Sequence, residues 1–188
     1  MPSLAAPTLP YADDSQRYQG LMITLGIDPG TAILGYGVVS GSDEPRSVTY
    51  GVIRTSNNEP MPDRLVRLYE GVRAIIAEYH PDVVAVEQLL FGRNVTTAIA
   101  VGQARGVVLL AAAQAGLAVA EYKPAQIKEA VAGYGKADKP QMQEMVRILL
   151  GLETIPHPDD AADALGIAIC HVHMARFHTF TQGNQERR

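Results

Sequence analysis

The chain has 188 residues, 47% of them hydrophobic and 19% charged, a balance that excludes wholesale disorder, collagen-like repeats and a coiled coil. At this length one domain with one compact core is expected, in a soluble globular protein. The formal charge of −4, from 16 Lys plus Arg against 20 Asp plus Glu, argues at face value against a nucleic-acid partner, since such binding rests largely on neutralised phosphates.

Residues 1–20 carry Pro2, Pro7 and Pro10 without apolar periodicity and read as a disordered tail, with a single domain following over 21–178. Three short apolar runs come first: Met22 to Ile27, ended by Asp-Pro-Gly, then Tyr36 to Ser40, then Ser47 to Thr55. Gly41, Ser42 and Asp43 mark the turn between the second and third. The period then becomes helical. Leu65, Leu68, Tyr69, Val72, Ile75, Ile76 and Tyr79 form one face, and Arg64, Arg67, Glu70 and Arg73 the other. His80-Pro81 ends this helix, because a residue before proline is pushed out of the α region.

Asp82 to Glu87 is a fourth strand, apolar enough to be buried on both faces. Val95 to Gln114 is a helix; the apolar stretch from Val95 to Leu117 is interrupted by Gln103 and Arg105, so it is no membrane span, and no membrane partner is expected. Its Ala98, Gly102 and Gly106 form a ladder of small side chains suited either to core packing or to a dimer contact. A fifth strand, Leu117 to Tyr122, leads into a short helix, Pro124 to Ala132. Helices over about 140–150 and 159–178 follow, and residues 179–188 read as a polar tail. The single cysteine, Cys170, lies among apolar residues of the last helix, which fits a buried thiol in a reducing, cytoplasmic setting. Three strands joined by turns, then strands alternating with helices, make a mixed α/β pattern: a meander followed by right-handed crossovers.

The carboxylates fall at informative places. Asp28 closes the first strand and Glu87 the fourth; if these strands are parallel neighbours, both acids face one cleft at the carboxyl edge of the sheet. Asp160 and Asp163, an i, i+3 pair, open the last helix on a common face. Taken singly, each has a plain structural use: Asp28 as a turn former, Glu87 as a surface charge, the aspartates (Asp159 foremost) as helix caps. Jointly they ask for more, since turns and caps do not explain two buried strands and a long helix all meeting in acids. Such a cluster repels itself unless cations occupy it, and oxygen-only ligands favour Mg²⁺ or Mn²⁺. Two such ions suit in-line displacement at phosphorus, hence phosphodiester hydrolysis.

The segments ITLGIDPGTAILGYGVV (23–39), VVAVEQLLFGRN (83–94), GQARGVV (102–108), QIKEAVAGYGKADKPQMQEMVRILL (126–150) and HPDDAADALGIAICHVH (157–173) resemble, in order and spacing, the bacterial RuvC Holliday-junction resolvases. The resemblance implies an RNase H-like α/β fold, a five-stranded mixed sheet of order 3-2-1-4-5 flanked by helices. It also implies a homodimeric endonuclease of recombination and DNA repair that nicks four-way junction DNA in symmetric pairs, leaving 5′-phosphate and 3′-hydroxyl ends. RuvA and RuvB are implied as partners.

Asp28, Glu87, Asp160 and Asp163 match the acidic ligands of that family, which would hold two Mg²⁺ or Mn²⁺ ions per site. Lys128 and Lys139 match its lysines beside the scissile backbone. Leu90 stands where many members carry an aromatic residue and Phe91 follows it, so either could act at the junction centre; Arg93 and Asn94, in the same loop, are candidate DNA contacts. Positive charge gathers beside the acids, with a net of +3 from Gln88 to Leu150. Two bound divalent ions would offset the formal −4, so the acidic balance does not exclude DNA.

A rival reading comes from the Asp-x-Gly-Thr turn, which resembles the phosphate loops of the actin, Hsp70 and sugar-kinase ATPases. Those need a second such loop and a duplicated domain, which the chain does not contain. A silent junction-binding module or an RNA-processing nuclease of the same superfamily is a third reading; an inactive module would have lost acidic ligands, and none is missing.

Overall fold

The computed structural model describes residues 21–42, 44–89 and 95–185, and the tail expected at 1–20 lies outside them. Strands β1 (Ile23–Asp28), β2 (Ile33–Ser40) and β3 (Arg46–Arg54) form an antiparallel meander. Strand β4 (Val83–Glu87) lies parallel to β1, with Ile27 opposite Val86, and β5 (Ala118–Tyr122) lies parallel to β4, with Glu87 opposite Tyr122. The sheet order is β3-β2-β1-β4-β5, as the family resemblance implied.

Helices α1 (Met61–Tyr79) and α2 (Val95–Gln114) cover one face of the sheet. Leu25, Ile27, Val84 and Val86 meet Leu68, Val72, Ala104 and Val108 there. Helices α3 (Pro124–Ala132), α4 (Lys139–Leu149) and α5 (Asp159–Gln185) cover the other, where Ala85 and Val39 meet Ile127, Val146, Leu165 and Ile169. Residues Val83 to Val86 of β4 are buried, as their unbroken apolar run requires between two helical layers. Cys170 is buried, its thiol pushed up to about 12 by desolvation.

Some boundaries and faces differ from the expected ones. Strand β2 begins at Ile33 instead of Tyr36, because Gly35 and Gly37, which break the apolar run, still pair with β1 opposite Asp28 and Gly26. Helix α1 begins at Met61, with Pro62 in its first turn where a missing N–H costs nothing. Arg64, expected on the solvent face of α1, is 8% exposed. Its Nε donates to Thr55 Oγ1 at 2.9 Å, and that hydroxyl donates to Thr31 O at 2.5 Å, so the first turn of α1 is tied to the loop that follows Asp28. Helix α5 runs to Gln185, replacing the polar tail expected from 179 over its first residues; polar side chains alone do not stop a helix. Among the described residues no helix is long and apolar enough to cross a membrane.

Helix α5 rests on bare backbone. A Cβ built on Gly26 of β1 would lie 2.2 Å from Ala164 O, and one on Gly35 of β2 would lie 2.0 Å from Asp160 O. One on Gly37 would lie 2.7 Å from the Leu165 side chain. These three glycines form a groove without side chains that the helix fills. Adding a methyl at Gly26 meets main chain, which cannot rotate away. Gly26→Ala is therefore expected to destabilise the protein by about 2–3 kcal/mol, the upper part of the range for overpacking a close contact. A urea titration measures it, and an unchanged midpoint would contradict the direct helix-on-backbone contact.

Candidate active site

Asp28 and Glu87 are the last residues of β1 and β4, and the parallel register of those strands sets them side by side at one sheet edge. The glycine groove brings the first turns of α5 to the same edge, adding Asp163. Asp28, Glu87 and Asp163 share the wall of a cavity of about 230 Å³ with Lys128, Lys139 and Gln143. Asp160, one turn earlier, stands against β2, with its backbone oxygen over Gly35, and is not among the residues lining that cavity. It is still close enough for its charge to act on Asp28 and Asp163.

The electrostatics reflect this crowding. Burial first, then repulsion from Asp163, Glu87 and Asp160, lifts the Asp28 carboxyl to about 7. Burial and the Asp163 charge hold Glu87 above the usual carboxylate range, with Lys128 acting in the opposite direction. Burial likewise raises Asp163, and Lys139 only partly offsets it. Three half-buried carboxylates with raised proton affinity are a set that gains from a cation.

Two lysines supply positive charge. Lys128 projects from α3, which is anchored by the buried Ile127 and Val131. Lys139 opens α4 directly after the N-cap Asp138. There Gln141 N donates to Asp138 Oδ1 at 2.9 Å and Gln141 Oε1 accepts from Asp138 N at 3.1 Å, a reciprocal capping box. The Lys139 ammonium lies 3.1 Å from Asp159 Oδ2 and 3.3 Å from Asp163 Oδ2. Burial pulls its proton affinity down, but these two partners hold it above the ordinary lysine value. Asp159, expected as the cap of α5, is used differently: its two oxygens take Lys139 and Gln143 Nε2 (2.9 Å). The first turn of α5 is instead closed by Pro158 O, which accepts from Ala161 N at 2.9 Å.

Helix α2 contributes one further cation. Arg105 pairs with Glu121 of β5 at 2.7 Å and borders a second cavity, about 240 Å³, which Asp28 and Glu87 also line. His171 is not a candidate ligand: its Nδ1 lies 2.7 Å from Tyr122 Oη, beneath the sheet edge. The small-residue ladder of α2 splits, since Gly102 sits 3.7 Å from Leu89 by its Cβ position whereas Gly106 opens to empty space. Leu90, Phe91, Arg93 and Asn94 lie outside the described residues.

The donor set at the cavity is all carboxylate oxygen, suited to a hard divalent cation. Among the described residues no three His, Cys, Asp or Glu side chains already converge as metal ligands. Asp28, Glu87 and Asp163 face a shared space rather than a closed cage, and their raised proton affinities mark the charge that a cation would neutralise. The chemistry of the residues therefore fits divalent ions, which Asp28, Glu87 and Asp163, with Asp160 adjacent, could hold. Gln143, which orients Asp159, and the three glycines beneath α5 carry no motif of their own. Their signal is spatial: a polar residue one turn into α4, and glycines at alternate or register-paired strand positions.

The chain matches the family model described as Crossover junction endodeoxyribonuclease RuvC over residues 24–171. Curated relatives of that name include one from Chloroflexus aurantiacus, 61% identical over 155 residues, covering 82% of this chain and 94% of the relative. Another, from Desulfitobacterium hafniense, is 62% identical over 153 residues, 81% of this chain and 93% of the relative. Among solved structures, T. thermophilus RuvC in complex with Holliday junction substrate superposes with a TM-score of 0.80 at 42% identity, covering 84% of this chain and 97% of that one. The yeast mitochondrial Holliday junction resolvase Ydc2, at 14% identity and a TM-score of 0.63, shares the RNase H-like fold. With the family model spanning the whole sheet and all five helical elements up to His171, the chain belongs to the RuvC family of crossover junction endodeoxyribonucleases.

Proposed function

We propose that the protein resolves four-way DNA junctions by paired, symmetric, metal-dependent nicks. The observation that carries this reading is the meeting of Asp28, Glu87 and Asp163 with Lys128 and Lys139 in one cavity of a RuvC-family chain. Asp28, Glu87 and Asp163, with Asp160 beside them, would hold one or two divalent ions, Mg²⁺ or Mn²⁺. Bound ions of this kind supply neutralisation of the carboxylates and stabilisation of charge developing at phosphorus. Lys128 lines the cavity from α3, which supports a contact from its ammonium to a non-bridging oxygen of the scissile phosphate. Lys139, which holds both Asp159 and Asp163, would keep Asp159 as its partner and stay at the cavity if Asp163 were taken by a divalent ion. Attack by water forms a P–O bond, and the P–O3′ bond breaks. The departing oxygen takes a proton, leaving a 3′-hydroxyl and a 5′-phosphate.

Paired nicks need two sites. The outward face of α2 carries Ile99 and Leu110, 59% and 52% exposed, with the open Gly106 between them. An apolar stripe around a glycine lets a second helix approach closely, and this face is proposed as the homodimer contact.

Incubating labelled four-way junction and plain duplex with Mg²⁺, Mn²⁺ or EDTA tests the reading. Symmetric nicks in the junction alone, dependent on metal and lost in Asp28→Asn by about three orders of magnitude or more, are expected. Equal cutting of duplex, or full activity of Asp28→Asn, would sink it.

The Asp28 carboxyl also sets a pH dependence. Its value of about 7 in the metal-free fold means that it is protonated below neutrality and that a cation must displace that proton. Apparent Mn²⁺ affinity, read by isothermal titration, is therefore expected to fall by up to about tenfold per pH unit below 7 and to level off above it. The same proton makes the metal-free protein gain stability as pH drops from 7 toward 3.8, because the native state binds a proton that the unfolded chain has released. PH-independent Mn²⁺ binding from 6 to 8 would refute the assignment.

For the dimer, Leu110→Glu is expected to give a monomer by sedimentation, with the nicks on opposed strands no longer coupled. A dimer that persists in Leu110→Glu would place the contact elsewhere.

A further inference from the structure

Arg105 is a cation for which the mechanism above has no use. Its side chain is only 17% exposed and its Nη2 meets Glu121 Oε2 at 2.7 Å. Its Nε is buried and, among the described residues, has no hydrogen-bond partner. Buried donors in native proteins are almost always satisfied, so an orphan donor on a cation is a sign of an absent acceptor. The same side chain borders the cavity of about 240 Å³ walled by Asp28, Glu87, Gln88, Leu89 and Val101.

The two cavities share Asp28 and Glu87 and nothing else that is charged. Asp28 and Glu87, with Pro124, thus line both cavities, the first of which also has Lys128 and Lys139 on its wall and the second Arg105. A DNA strand that lays one phosphodiester over the shared carboxylates can extend into both cavities. On the first side it meets the lysines. On the second side the one cation among the described lining residues is Arg105, whose planar guanidinium offers further donors beside the one given to Glu121, a fork that matches the oxygens of a phosphodiester.

We infer that Arg105 binds the phosphodiester adjacent to the scissile one, on the side of the strand away from the lysines, and that Glu121 is a positioning residue that aims the guanidinium. This deepens the junction-cleaving reading and rests on it. Because α2 also carries the proposed dimer face, the contact would tie strand placement to the helix that joins the two protomers.

The test uses the full chain and a labelled four-way junction in EDTA, with binding followed by fluorescence anisotropy across a range of NaCl. For Arg105→Gln the slope of log Kd against log salt should fall by about 0.9, the value of one lost phosphate contact, while Arg105→Lys and Glu121→Gln keep the wild-type slope. In Mn²⁺, single-turnover nicking should slow at least tenfold for Arg105→Gln, and to a lesser degree for Arg105→Lys, which keeps the charge and loses the fork. A neutral methylphosphonate placed next to the scissile phosphate, on one side and then the other, gives a readout independent of any variant's folding. On one side it should weaken wild-type binding and add nothing to Arg105→Gln.

Wild-type indifference to the methylphosphonate on both sides would overturn the inference. So would a wild-type salt slope in Arg105→Gln, or a Glu121→Gln variant that reproduces every defect of Arg105→Gln and so marks the pair as structural. Failure of the wild type to bind the junction at all would overturn the functional reading and this one together, whereas a bound junction with an unmoved slope overturns this one alone.

Discussion

The approach of α5 to the sheet through Gly26, Gly35 and Gly37 is the constraint from which the site follows. Were those positions to carry side chains, the helix axis would sit farther out and Asp163 would face solvent. With no Cβ in the way, the backbone of α5 at Asp160 and Ala164 lies against β2 and β1 directly. The groove therefore fixes the distance between a helix-borne carboxylate and two strand-borne ones, and it does so with main-chain contacts that have little freedom to relax. The cost is paid in conformational entropy, since glycine loses more on ordering than any other residue. The apolar layers above and below the sheet, from Leu25 and Val86 to Leu165 and Ile169, supply the burial that makes this tolerable.

The same placement makes the metal-free site electrostatically poor. Asp28 is partly desolvated and surrounded by three acids, and Lys128 and Lys139 do not compensate them fully. Lys139 stands between Asp159 and Asp163, the acid of the pair nearest the cavity on one side and an exposed surface acid on the other. Such an ion pair near solvent is worth little to stability. Its value is in position: one ammonium with two carboxylates can exchange one partner without leaving the site. The overall charge of −4, which at first argues against DNA, counts four acids, Asp28, Glu87, Asp160 and Asp163, whose charge bound divalent cations would offset.

Much of this was legible in the residues. Asp28 and Glu87 stand out because each ends an apolar strand, while the pairing of β1 with β4, which the residues alone leave as a condition, is what the family resemblance implies. Asp163 stands out through its i, i+3 partner. Other features were not legible. Arg64 carries the pattern of a solvated helix face and is instead buried against Thr55, because the loop after β3 folds over the first turn of α1, a tertiary fact. Asp159 has the sequence context of a cap, yet Lys139 and Gln143, sixteen or more residues away in the chain, compete for it and win. The glycine groove has no local signal at all, since its members lie on two strands and meet only through antiparallel register.

Seen together, the groove and the acids describe a site that the fold holds against its own local preferences. Glycines weaken strand interiors and clustered carboxylates repel, and both choices run counter to what stability alone would select. They coincide at one sheet edge, where β1 and β4 end and α5 begins, and the surrounding elements are conventional: capped helices, a buried parallel pair, two apolar layers. That concentration of local conflict in one place, with consistency elsewhere, separates a functional edge from a merely irregular one. It also explains why Arg105 is informative. A largely buried cation with an orphan donor is another local conflict, and it lines a cavity together with the same two carboxylates.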